Sequence, residues 1–211
     1  MMKYPIQPRT IASVLAGLVI TSLLPTTSYA RIGERRESIE RRLFSSGGIV
    51  YRDDTIEENR RKGMPYAQYL EYLPSNTYVR IYFKTSDGRR PSSSELSDGR
   101  MSAGWDLHVV YVNGKSAIEV YKRSQGMTEQ EFNQLMAIHA GGSFWKRLDK
   151  EDKAEVVSAF GFEMIRDDGL VRARKLGRDS VLFFETEIDA ELAEMKTSDL
   201  QEKAPASVNG F

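Results

Sequence analysis

The alternation of apolar and polar residues is cleanest over 77–83, where Val79, Ile81 and Phe83 fall on one side and Tyr78, Arg80 and Tyr82 on the other. Strand side chains point to alternate faces, so this pattern predicts a half-buried β-strand. Two further runs, 107–112 and 116–121, flank Asn113-Gly114. That pair suits a type I′ turn, whose two central residues need positive φ, and it predicts a hairpin. Helical spacing governs other stretches. Residues 34–46 place Ile32, Ile39, Leu43 and Phe44 near one face, until Gly47-Gly48 ends the run before a brief strand at 49–51. The charged segment 53–63 reads as a surface connection or helix, and 66–73 brings Tyr66, Tyr69, Leu70 and Leu73 to helical spacing. Residues 89–102, with Pro91, three consecutive serines and Gly99, read as an exposed loop.

Thr128 with Glu131 three residues on forms a capping-box signature. Phe132, Leu135, Met136 and His139 follow at helical spacing, and Gly141-Gly142 stops the helix. A second unit starts at Ser143-Phe144-Trp145. It comprises a strand at 160–165, a turn at Asp168-Gly169, a partner strand at 170–176 and the strongly apolar Val181-Leu182-Phe183-Phe184. A short helix at 190–196 and a polar, frayed tail complete it. No internal repeat is evident, although both halves share a strand–turn–strand plan. The pattern predicts an α+β fold of short helices packed on a mostly antiparallel meander, with a smaller C-terminal β-hairpin unit. Residues 31–145 form the first unit, 146–196 the second and 197–211 a flexible tail.

The amino terminus changes the picture. Lys3 and Arg9 precede an apolar run from Ile11 to Leu24, and Ser28 and Ala30 place small side chains at −3 and −1 of a cleavage site. Positive start, short apolar core and small-residue site together form an export signature, so 1–30 reads as a signal peptide cleaved after Ala30. The run falls short of the roughly 20 apolar residues that span a bilayer, which disfavours a retained anchor. The product is expected in the periplasm or secreted. Removing 1–30 reduces 30 basic residues to 28 against 30 acidic, a net charge of −2. That balance argues against nucleic acid as a partner. The absence of cysteine excludes disulfides, thiolate catalysis and cysteine-based zinc sites, and no cofactor or metal motif is found.

Candidate chemistry is sparse. Asp106 and His108 share a strand face, where a carboxylate could orient an imidazole base, although no third ligand or nucleophile stands at a recognisable spacing. The parity of His108 with Val110 and Val112 argues instead for a partly buried structural histidine. His139 and Ser143 lack the glycine-flanked elbow of a serine nucleophile. Trp105 and Trp145 lie just outside predicted elements, where an aromatic either seals the core edge or anchors a partner. With Tyr82 they are the candidate binding residues. The tyrosines of 66–82 could alternatively line a small-ligand site.

Three stretches carry a family likeness. They are Ile32-Gly33-Glu34, Val110-Tyr111-Val112-Asn113-Gly114-Lys115 with its returning strand 117–123, and Gly141-Gly142-Ser143-Phe144-Trp145 ahead of Arg166-Asp167-Asp168-Gly169. The chain resembles uncharacterised exported bacterial proteins with a helix–helix–meander core. More distantly it is similar to the small lipoprotein of the outer-membrane β-barrel assembly machine and to secreted β-lactamase-inhibitor modules, though it lacks the lipidated cysteine. The resemblance implies a non-enzymatic envelope protein that presents a sheet face or loop to another envelope protein, and it transfers no catalytic residue. The alternatives are an envelope hydrolase using Asp106 and His108, or a small-ligand-binding protein.

Overall fold

The computed structural model describes residues 31–97, 103–149 and 156–203. The expected signal peptide, the end of the 89–102 loop and the last residues of the tail lie outside these. The architecture is α+β, with one open eight-stranded antiparallel sheet at its centre. In chain order the elements are α1 (Arg36–Ser45), β1 (Ile49–Val50), α2 (Asp54–Arg61), a 3-10 helix (Ala67–Tyr72), β2 (Tyr78–Thr85), α3 (Ser93–Ser97), β3 (Gly104–Val112) and β4 (Lys115–Arg123). Then follow α4 (Glu129–Ala140), β5 (Trp145–Arg147), β6 (Met164–Arg166), β7 (Val171–Leu176), β8 (Ser180–Glu185) and α5 (Thr186–Glu202).

The sheet order is β1-β2-β3-β4-β8-β7-β6-β5, two four-stranded meanders joined along β4 and β8. The seam pairs Ile118 with Phe184, Val120 with Leu182 and Tyr121 with Val181. The C-terminal strands therefore extend the first meander instead of standing apart from it. The cause is legible in β8, whose Val181, Leu182, Phe183 and Phe184 are all fully buried. A strand apolar on both faces must lie inside a covered sheet. Each meander is also preceded by one helix, α1 or α4, on the same face, so the two halves repeat a common plan.

Helices cover both faces. Ile39 and Leu43 of α1 and Leu135 and Met136 of α4 pack on Tyr82, Leu107, Val109, Tyr111, Tyr121 and Phe183. On the opposite face Tyr66, Tyr69 and Leu70, together with Leu192 of α5, pack on Val110, Val112, Ile118, Val120, Leu182 and Phe184. The strand expected to be half-buried is thus covered on both sides, with Ile81, Tyr82 and Phe83 all inside. Phe44, assigned by spacing to the core face of α1, is 45% exposed.

Local chemistry explains the boundaries. Asn113 (φ 52°) and Gly114 (φ 77°) turn the β3–β4 hairpin as anticipated, with a register shift at Val110/Tyr111. Asp53 caps α2 by accepting from the Ile56 amide. Thr128 and Glu131 complete the capping box of α4, and Gly141 closes that helix in the left-handed region. Three expectations shift. Residues 93–97 of the supposed loop form α3, the 160–165 strand shrinks to β6, and α5 runs through 197–202, where a frayed tail was expected. Asp189 accounts for the second change. Its carboxylate accepts from the amides of Ala159 and Phe160 and from Ser158 Oγ, and it is paired with Arg172, so the start of this stretch is tied to the first turn of α5 and not to a neighbouring strand.

Candidate functional site

On the face shared by α1 and α4, the register sets side chains in rows. Lys84, Trp105 and Arg123 form one row across β2, β3 and β4, and Tyr82, Leu107 and Tyr121 form the next. The following row is Arg80, Val109, Glu119 and Phe183. Lys84 and Trp105 of the first row, with the whole of the second, floor a cleft of ≈ 610 Å³, a volume within the range of small-molecule sites. The end of α1 (Arg42, Leu43, Ser45 and Ser46) walls one side, and Glu131, Gln134, Leu135 and Ile138 of α4 wall the other. Trp105 is half-buried within β3, and the Arg123 guanidinium lies 5.4 Å from its ring centre. Arg123 also pairs with Glu131, tying the start of α4 to the sheet.

Arg31 closes the base of the cleft. Its Nη1 donates to the Tyr121 hydroxyl at 3.1 Å, and its carbonyl accepts from Ser116 Oγ at 2.7 Å. The Gly33 amide bonds to the Ser116 carbonyl and the Ser116 amide to the Glu34 carbonyl. These contacts fasten the segment ahead of α1 to the hairpin end and aim the Arg31 side chain at β4. Behind Tyr121 lies a sealed polar cluster. The Tyr121 hydroxyl donates to Glu119 Oε2 at 2.6 Å, and His139 Nε2 stands 3.3 Å from the Tyr121 oxygen and 3.7 Å from Glu119. Both Glu119 and His139 are fully buried, and the imidazole stacks on Phe183 with centroids 3.7 Å apart. Among the described residues Glu119 Oε1 and His139 Nδ1 meet no hydrogen-bond partner.

Burial dominates the electrostatics here. Desolvation pushes the Glu119 carboxyl up from its ordinary value, opposed by the Tyr121 hydrogen bond and the Arg31 charge. Desolvation also drives His139 well down, and the charges of Arg31, Arg42 and Arg166 push the same way. Tyr121 is pushed up, chiefly by burial and then by Glu119. Its phenol is thus a hydrogen-bond donor, not a base, at neutral pH.

Of the sequence candidates, Trp105 and Tyr82 line this cleft. Trp145 does not. It begins β5 half-buried, donates Nε1–H to the Met136 carbonyl at 2.8 Å and packs on Phe183. Asp106 and His108 lie on the opposite face, and they engage different groups. Asp106 is ion-paired to Arg60 and accepts from the Tyr51 hydroxyl at 3.2 Å, while His108 Nδ1 meets the Tyr66 hydroxyl at 2.8 Å. His108 is only 1% exposed, fully buried where partial burial was expected, and desolvation lowers it to about 3. The tyrosine cluster divides likewise: Tyr66 and Tyr69 are core residues of one face, and Tyr82 belongs to the other. His139 turns to Tyr121 inside the core, whereas Ser143 follows the helix stop, its amide bonded to the Ala140 carbonyl.

Arg31, Glu119 and Tyr121 escaped the reading of the sequence. One signal could have found Glu119: it shares strand parity with Tyr121, so a charged residue sits at a position facing inward. Among the described residues no group of acidic, histidine or cysteine side chains could hold a metal ion, and no helix is long and apolar enough to cross a membrane. No family, curated protein or solved structure matches the chain.

Proposed function

We propose that the chain is an exported binding protein and that the cleft between α1 and α4 takes a small organic ligand. One observation carries the reading: the rows Tyr82–Leu107–Tyr121 and Lys84–Trp105 form a concave floor, aromatic and aliphatic at its centre and edged by polar groups. Concave, largely apolar sites with a few fixed polar groups are where small molecules bind. The sealed cluster of Tyr121, Glu119 and His139 supports that use by holding the floor rigid, since each ring is packed or hydrogen-bonded. Export rests on the amino-terminal pattern, and an envelope protein as partner is the second reading, favoured by the exposed Phe44 and Ile138.

The test uses Trp105 as reporter. Trp145→Phe leaves it as the sole tryptophan. Compounds that raise the unfolding temperature in a thermal-shift screen of aromatic and aliphatic fragments should also shift or quench Trp105 emission. Stabilising compounds that leave Trp105 silent would refute the assignment of the site.

A further inference from the structure

We infer that the ligand is an organic anion, its carboxylate held by the guanidinium of Arg31 with support from Arg42, and its flat apolar body lying over Leu107 and Trp105. The inference rests on the cleft being the binding site and names the chemistry it selects. Arg31 supports it first. The residue lines the cleft, one of its N–H groups goes to Tyr121, and no carboxylate of the described residues lies within ion-pair distance of it. A guanidinium offers five N–H donors in a planar fork that matches a carboxylate. Among the described residues no acceptor takes the other four.

Arg42 stands on the same wall. Glu34 takes its Nη1 at 2.8 Å, leaving the rest of the group to add positive potential. The other cation of the floor, Lys84, also has no carboxylate partner among the described residues. Against these charges the cleft sets Glu131, already committed to Arg123 and to the cap of α4. Glu34 is taken up by Arg42, Glu40 accepts from the Tyr82 hydroxyl, and Glu119 is sealed behind Tyr121, where burial favours its neutral form. The lining is therefore cationic toward the cleft and apolar along its floor, which suits a molecule with one anionic end and a ring-sized body. A cationic ligand of the same shape would meet Arg31 and Lys84 without a free carboxylate to offset them.

The experiment compares 1-naphthoate, the neutral 1-naphthamide and cationic 1-naphthylmethylamine by Trp105 fluorescence titration on the Trp145→Phe protein. Naphthoate should bind about tenfold or more tightly than the amide, the scale of one charge-assisted bidentate contact, and the amine should bind more weakly than either. Arg31→Gln should erase the advantage of naphthoate, weakening naphthoate far more than the amide. Arg31→Lys should restore part of it, because charge is kept and the fork is lost. Arg42→Gln tests the same field should the Arg31 variants fail to fold, and it should narrow the naphthoate advantage by a smaller factor. Equal affinities for naphthoate and amide, unmoved by either arginine variant, would overturn the anion inference and leave the cleft reading intact. A Trp105 signal unmoved by all three compounds would instead overturn the cleft reading, and this inference with it.

Discussion

Replacing His108 by asparagine should flatten the pH dependence of stability on the acid side of neutrality. The native imidazole is buried against Tyr66 and is lowered from the usual 6.5 to about 3, first by desolvation and then by the charges of Lys122, Arg60 and Arg61. The unfolded chain titrates near 6.5. A base whose native value is depressed contributes fully above the unfolded value, and that contribution is lost as pH falls toward the native one. Between those limits the unfolded state takes up a proton that the native state refuses, so stability drops by about 1.4 kcal/mol for each pH unit. By pH ~4 the loss from this one residue is about 3 kcal/mol, a large share of a typical net stability of roughly 5–15 kcal/mol. Asparagine places an oxygen near the Nδ1 position, so the contact to the Tyr66 hydroxyl can persist while the titration disappears. The assay is urea unfolding of both proteins in steps from neutral pH to pH ~4. The variant should start less stable, and its deficit should shrink by about 3 kcal/mol across the series. His139 and the buried carboxyls titrate in both proteins and cancel in the comparison. Parallel stability curves would show that His108 is not the neutral, proton-refusing group described above.

Gly114→Val puts a β-branched residue at a φ of 77° and should cost about 1–3 kcal/mol, read as a lower urea midpoint with an unchanged slope. An unshifted midpoint would mean that the β3–β4 turn is not built as described. Asp189→Asn removes the charge facing the buried Arg172 and should cost about 3–5 kcal/mol. Hydrogen exchange at the Ala159 and Phe160 amides should accelerate in step, because both bond to the same Asp189 oxygen.

Local codes were legible in the sequence wherever a residue acts on its own neighbours. Asn113-Gly114, the capping box of Thr128 and Glu131, and the glycine stop of α4 involve partners at most a few positions away. Partnership across the sheet was not legible. Nothing local to Tyr78 or Tyr82 reveals that α1 will cover them, and so β2 read as half-solvated. The single sheet was hidden for the same reason, since the β4–β8 seam joins segments some 60 residues apart. Asp106 and His108 show the limit of parity as a guide. The two do share a face, but what each meets there is set by α2 and by Tyr66, and those contacts send Asp106 to Arg60 and His108 to Tyr66.

The cleft lies beyond the reach of periodicity because it is a consequence of two helices packing on two meanders. α1 precedes the first meander and α4 the second, and both settle on the same face. Where the end of α1 and α4 diverge over β2, β3 and β4 they leave a gap, and the side chains that floor it are Tyr82, Lys84, Trp105, Leu107 and Tyr121. In a strand read alone, Lys84 is a solvated residue and Trp105 an edge aromatic. Only the register, which sets Lys84 opposite Trp105 and Leu107 between Tyr82 and Tyr121, turns them into one surface. Arg31 then reaches that surface from the segment before α1, held by Ser116 at the far end of the hairpin. A site assembled from a leading segment, two helices and three strands has no spacing in the sequence to betray it. One buried residue still links the core to it: the Glu119 carboxyl accepts from the Tyr121 hydroxyl that Arg31 in turn contacts.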